Sequence, residues 1–189
     1  MNLLLLGLAI FLATHSTRIF APAWREARIA GWGVVRWKVV VSVLSVIGLL
    51  LIIWGYGQAR QQPVLLWTPP GGLRHAAALL TLPAFVLLVA AYVPRNHFKS
   101  RLGHPMVLAV VLWAFAHLLV SGRLHGVLLF GSFLLWAMLS FRAARRREPP
   151  NQAPASTTRT LLAVVIGAAA WAGFAFYLHA RWIGMAPFG

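Results

Sequence analysis

Seven histidines are the groups with which this chain could do chemistry in an apolar medium, because its only carboxylates are Glu26 and Glu148 and it has no cysteine. An ionisable side chain within a hydrocarbon span is costly and by default marks a functional-site hypothesis. His15 and His117 hold that position, each inside an apolar run with no acid to pair with. An imidazole stranded in this way suits a cofactor metal. Haem iron accepts histidine axial ligands, and a porphyrin buries well among Leu, Phe and Trp while Arg at helix ends can meet its propionates. Structural zinc is disfavoured, because no short-spaced histidine pair has a third ligand. His104 and His117 are separated by about 20 Å along a helix and about 220° around it, so they cannot share a metal. Trp113 and His117, four residues apart, do share a face, as packing or as a cofactor wall. His75 and His179 fall near the ends of their spans, whereas His97 and His125 fall at loops.

The elements that must position these residues are read from composition and charge. The chain of 189 residues is 60% hydrophobic and 10% charged. A soluble domain is about half apolar and about a quarter charged. The expectation is an all-α membrane protein, a single domain over residues 1–189 formed by a bundle of six transmembrane helices at about 2–20, 38–57, 75–93, 104–121, 124–141 and 160–181. A cleavable signal is the rival reading of the first run, but no positive charge precedes it. Pro105 opens the fourth helix, where its missing N–H costs nothing. Pro83 lies inside the third as a kink. The connection 142–159 is charged and rich in Pro, Ala, Ser and Thr.

The net charge of +15 is distributed in short loops between apolar spans, which suits topology signals and anionic headgroups rather than nucleic acid. The loops after helices one, three and five hold 13 of the 17 Lys and Arg residues. Those loops are expected in the cytoplasm, giving an N-out/C-out topology. With both acids in loops, a carboxylate proton relay, a two-carboxylate hydrolase and a carboxylate-rich metal site are all unsupported. Without cysteine, so are disulfides, iron–sulfur ligation and thiolate catalysis.

Five segments carry a resemblance. Phe11-Leu-Ala-Thr-His15-Ser, Arg74-His75, Gly103-His-Pro105, Leu112-Trp-Ala-Phe-Ala-His117-Leu-Leu-Val-Ser-Gly122 and Leu129-Phe-Gly-Ser-Phe-Leu-Leu-Trp-Ala137 resemble the NnrU family. The block 103–137 is the most specific, and Ser121 departs from the Asn expected there. The resemblance implies a bacterial inner-membrane protein that supports nitrite and nitric oxide reductases in denitrification. The domain is also similar to that of plant 15-cis-ζ-carotene isomerase, a haem b enzyme. By motif, the resemblance puts the axial ligands on His15 and His117, and His104 matches a further family histidine that is not an axial ligand.

Helical rise, however, puts His15 and His117 at depths differing by roughly 10 Å, and depth alone pairs His117 with His75 or His179. Three expectations follow. The first is a haem b-binding NnrU-type protein with a denitrification-linked or redox-sensing role. The second is a haem-dependent cis–trans isomerase of a conjugated polyene, and the third a carrier of a small nitrogen-oxide signal. Sharing a domain does not transfer a reaction.

Overall fold

The computed structural model describes residues 1–148 and 154–188 and is helical throughout apart from connections and one isolated bridge between Leu65 and Arg123. The centre of the connection expected at 142–159 therefore lies outside the described residues. The helices are α1 (Asn2–Phe20), α2 (Pro22–Trp32), α3 (Val34–Ala59), α4 (Leu73–Tyr92), α5 (His97–Leu102), α6 (Pro105–Leu119), α7 (Leu124–Arg147) and α8 (Thr157–Ile183). Five of them, α1, α3, α4, α7 and α8, are long and apolar enough to cross a membrane. The sixth apolar helix, α6, has 15 residues. At about 1.5 Å per residue it is roughly 22 Å long, shorter than a hydrocarbon core of about 30 Å.

Two stretches expected as loops are helical. Residues 22–32 form α2, which starts on Pro22 and buries none of its residues. Arg28 stacks over the rings of Trp24 and Trp32 at 5.4 and 5.5 Å, and Arg25 lies over Trp37 at 5.9 Å. Paired guanidinium and indole groups suit an interfacial helix, each covering the other's less favourable face. The short α5 is capped by Asn96, a fully buried residue whose Oδ1 accepts from the Lys99 N–H at 2.9 Å. Its Nδ2 donates to the carbonyls of Ala90 and Val93, so one side chain closes α4 and opens α5.

The long helices pack in the order α3, α1, α7, α6, α4, α8, each against the next. Lipid-like surroundings give no hydrophobic drive between helices, so close approach depends on small residues. A Cβ on Gly7 would stand 2.6 Å from the Ile52 nitrogen, and one on Gly48 would stand 2.9 Å from the Phe11 nitrogen. At Gly55 it would run into the Leu4 backbone. These three glycines let α1 and α3 meet backbone to backbone, with Leu4, Leu8 and Ile52 sealed beside them. Gly167 does the same for α8, where a Cβ would meet the Val86 Cα of α4 at 2.6 Å. The outward faces remain apolar; on α3 Val35, Val39, Val43, Val46, Leu50 and Ile53 are all exposed.

The two ends of the bundle are stitched differently. At one end Arg18 pairs with Glu148 at 2.8 Å, Arg147 donates to the Arg18 carbonyl and the Ser156 N–H donates to the Arg95 carbonyl. At the other, Arg60 donates to the Ile183 carbonyl at 2.8 Å. There the Leu66 and Trp67 N–H groups share the Gly122 carbonyl, and Leu124 N–H donates to Val64. Helices therefore alternate in direction, and the basic loops gather at the Glu148 end.

Gly55→Leu is expected to wedge α1 from α3 and lower stability by about 1–3 kcal/mol or more, as overpacking does. Gly57→Ala, where an added Cβ meets nothing within 4 Å, is expected to be neutral or mildly stabilising. Thermal unfolding of both variants in detergent checks the contrast.

Candidate functional site

His15 and His117, each inside a long apolar helix, are first satisfied by their own backbone. The Nδ1 of His15 and the Phe11 carbonyl are 2.8 Å apart, and Nδ1 of His117 and the Trp113 carbonyl are also 2.8 Å apart. A carbonyl oxygen can only accept, so Nδ1 carries a proton, and the tautomer that this bond selects has its lone pair on Nε2. This is the arrangement of a metal-binding imidazole whose other nitrogen is anchored by a backbone carbonyl.

The two rings nonetheless occupy different places. His15 stacks on Phe11 at 4.3 Å and meets the edge of Trp136 on α7 at 6.1 Å. The Trp136 Nε1 there is buried without a hydrogen-bond partner among the described residues. His117 stacks on Phe130 of α7 at 4.8 Å and lies against Trp113 at 5.2 Å. Phe130 and Trp136 are six residues apart on α7, roughly 9 Å along its axis. Phe133 fills the interval, touching Phe11 on one side and Trp113 on the other at 5.7 Å each. Two ligands of one iron need their nitrogens about 4 Å apart, twice a metal–imidazole bond of about 2 Å. Among the described residues the ring contacts of His15 and His117 fall on different aromatic side chains of α7, Trp136 and Phe130.

His117 also lies beside His179. Their ring centroids are 6.4 Å apart and their planes differ by 25°. His179 Nδ1 lies 2.6 Å from the Met185 carbonyl, so this ring too presents Nε2. Among the described residues neither Nε2 has a protein hydrogen-bond partner. Phe174 meets the edge of His179 at 5.7 Å and packs on Phe85 of α4 at 5.7 Å. The pair thus sits among Trp113, Phe130 and Phe174, at the bundle end opposite Glu148.

The remaining histidines are placed elsewhere. His104 caps α6 and its Nε2 lies 3.1 Å from the Glu148 carbonyl, at the basic end. His75 is exposed on the first turn of α4, and among the described residues no ring contact joins it to His117. His97 begins α5, with its backbone N–H on the Thr160 hydroxyl. His125 is buried at the start of α7 against Tyr56, ring centroids 5.0 Å apart, with Nδ1 unpartnered. Among the described residues no group of three or more His, Cys, Asp or Glu converges. Two imidazoles with free Nε2 atoms and aromatic walls are a donor set that fits a porphyrin iron, which needs only axial ligands from protein.

The chain matches the family described as NnrU protein over residues 3–187, and it belongs to that family. No curated protein and no solved structure matches it.

The carbonyl-tied rings fix a tautomer. In 15N-histidine-labelled protein, His15, His117 and His179 are expected to show protonated Nδ1, with each signal assigned by its loss in the corresponding His→Gln variant. A protonated Nε2 with bare Nδ1 at these positions would contradict the hydrogen bonds.

Proposed function

From membership of the NnrU family, we propose that the chain is a six-span bacterial inner-membrane protein, N-out and C-out, that binds haem b and serves a denitrification-linked or redox-sensing role. The observation that carries the haem reading is His117: an imidazole deep in an aromatic nest, its Nδ1 tied to its own helix and its Nε2 meeting no protein hydrogen-bond donor among the described residues. Such a ring has no acid to share a proton with and no bond to lose on taking a metal. Bound haem would supply one-electron redox chemistry and a vacant or exchangeable position for a small ligand. The chain's own part is to hold the ring, exclude water with Trp113 and Phe130, and offer Arg60 and Arg123 at that end for propionate charges.

The topology rests on the charge bias, since the basic loops meet at the Glu148 end. It also requires α6 to count as a sixth span despite its length, completed by the polar cap at His104 and the turn at Val120. Local thinning or burial of α6 between α7 and α4 accommodates the shortfall.

Two measurements test these proposals. Protein purified from haem-sufficient cells is expected to show a Soret band that His117→Ala abolishes and His97→Ala leaves intact; absence of the band in the wild-type protein defeats the haem reading. Because the chain has no cysteine, single cysteines report sidedness cleanly. An impermeant maleimide added to spheroplasts is expected to label Gln62→Cys but not Arg146→Cys until the membrane is permeabilised, and the reverse result inverts the topology.

A further inference from the structure

We propose that the corner where α2 meets the start of α3 is a binding site for one anionic phospholipid, with Arg28 and Arg36 on its phosphate and an acyl chain along Val39 and Val40. The inference rests on the reading of the chain as a membrane protein and is independent of haem.

The corner is an ordered element in its own right. Gly33, at φ 82° and ψ 153°, ends α2 and turns the chain directly into α3, a conformation that a residue without Cβ reaches at little cost. Trp37 is buried just beyond it. Its ring centroid lies 5.8 Å from that of Trp24 and 6.4 Å from that of Trp32, with Arg25 over its face. Three indoles thus hold α2, which buries none of its own residues, against the span that follows.

The charge gathered there has no answer within the protein. Arg25, Arg28, Arg36 and Lys38 stand against one carboxylate, Glu26. Among the described residues the ion pair joins Arg18 to Glu148, and the side chains of Arg28 and Arg36 make no hydrogen bond. Arg28 lies over the rings of Trp24 and Trp32. A guanidinium that stacks through its face keeps its N–H donors at the edge, in the fork that grips a phosphate.

The apolar half of the site adjoins this charge. Trp32, Val35, Arg36, Val39 and Val40 line an open groove, and the tryptophan and all three valines are exposed. Trp32 joins the two halves, because it carries Arg28 on its ring and lines the groove with Arg36. Val39 and Val40 follow Arg36 by about one turn, roughly 5 Å further along the span. A soluble anion would use the guanidinium groups and leave the valines wet. A zwitterionic lipid would cover the valines and leave the cations in surplus. An anionic phospholipid satisfies both.

Native mass spectrometry of the full-length protein in detergent, with dioleoyl-phosphatidylglycerol or dioleoyl-phosphatidylcholine added, tests the site. The wild-type protein is expected to retain one phosphatidylglycerol in preference to phosphatidylcholine. Arg28→Gln and Arg36→Gln are each expected to lower that retention about fivefold, the effect of losing one basic contact to an anionic headgroup. Val39→Trp, which fills the groove and keeps every charge, is expected to lower it as well. Arg146→Gln, a cation outside this corner, is expected to leave it unchanged. Equal retention of the two lipids, or a loss in Arg146→Gln as large as in Arg36→Gln, overturns the proposal. So does retention untouched by Val39→Trp, or displacement of the lipid by excess inorganic phosphate, since either reduces the site to an anion contact.

Discussion

In hydrocarbon a polar group has no water to turn to, and this chain answers almost entirely with its own helix carbonyls. Thr14 donates to Ile10, Ser45 to Val41 and Thr81 to Ala78, and His15 and His117 are tied in the same manner to Phe11 and Trp113. Each such bond is local, needs no partner helix and leaves the lateral surface apolar. A consequence reaches the chemistry. An imidazole anchored through Nδ1 is held in one tautomer, and its remaining nitrogen keeps a lone pair that meets no protein donor among the described residues.

Helix association then rests on shape rather than polarity. Gly7, Gly48 and Gly55 let α1 and α3 meet at backbone distance, and Gly167 admits α8 to α4. One inter-helical side-chain bond, from Trp171 Nε1 to the Thr81 hydroxyl at 3.0 Å, supplements this contact. Close packing of this kind fixes where aromatic side chains can go. Phe130, Phe133 and Trp136, on successive turns of α7, separate the surroundings of His15 from those of His117. The second histidine also meets a ring of α8, that of His179.

Charge is sorted to the ends. With so few acids, Glu148 becomes a junction that receives Arg18 through its carboxylate and His104 through its backbone carbonyl. Arg147, one residue earlier, reaches the Arg18 carbonyl. The opposite end is joined through backbone groups and the guanidinium of Arg60. One end is thus rich in fixed positive charge and the other is not, which is the asymmetry a membrane reads as direction.

Hydropathy and charge spacing by themselves determined that the chain is an all-helical membrane protein and where its apolar helices run, because those properties depend on runs of side-chain type and not on contacts. The motif around His117 also identified the family. The helix at Pro22–Trp32 escaped that reading, since its Arg and Trp residues look like a charged loop until they stack. So did the capping role of Asn96, which needs three backbone partners to converge. Which histidines face each other was decided only by tertiary structure. A π-turn and a left-handed glycine have no signature in hydrophobic periodicity, yet the first lies just before His179 and the second precedes the Met185 carbonyl that meets its ring. Separation along the sequence is silent on that, because a single extra residue in a helical turn redirects a side chain without altering any composition.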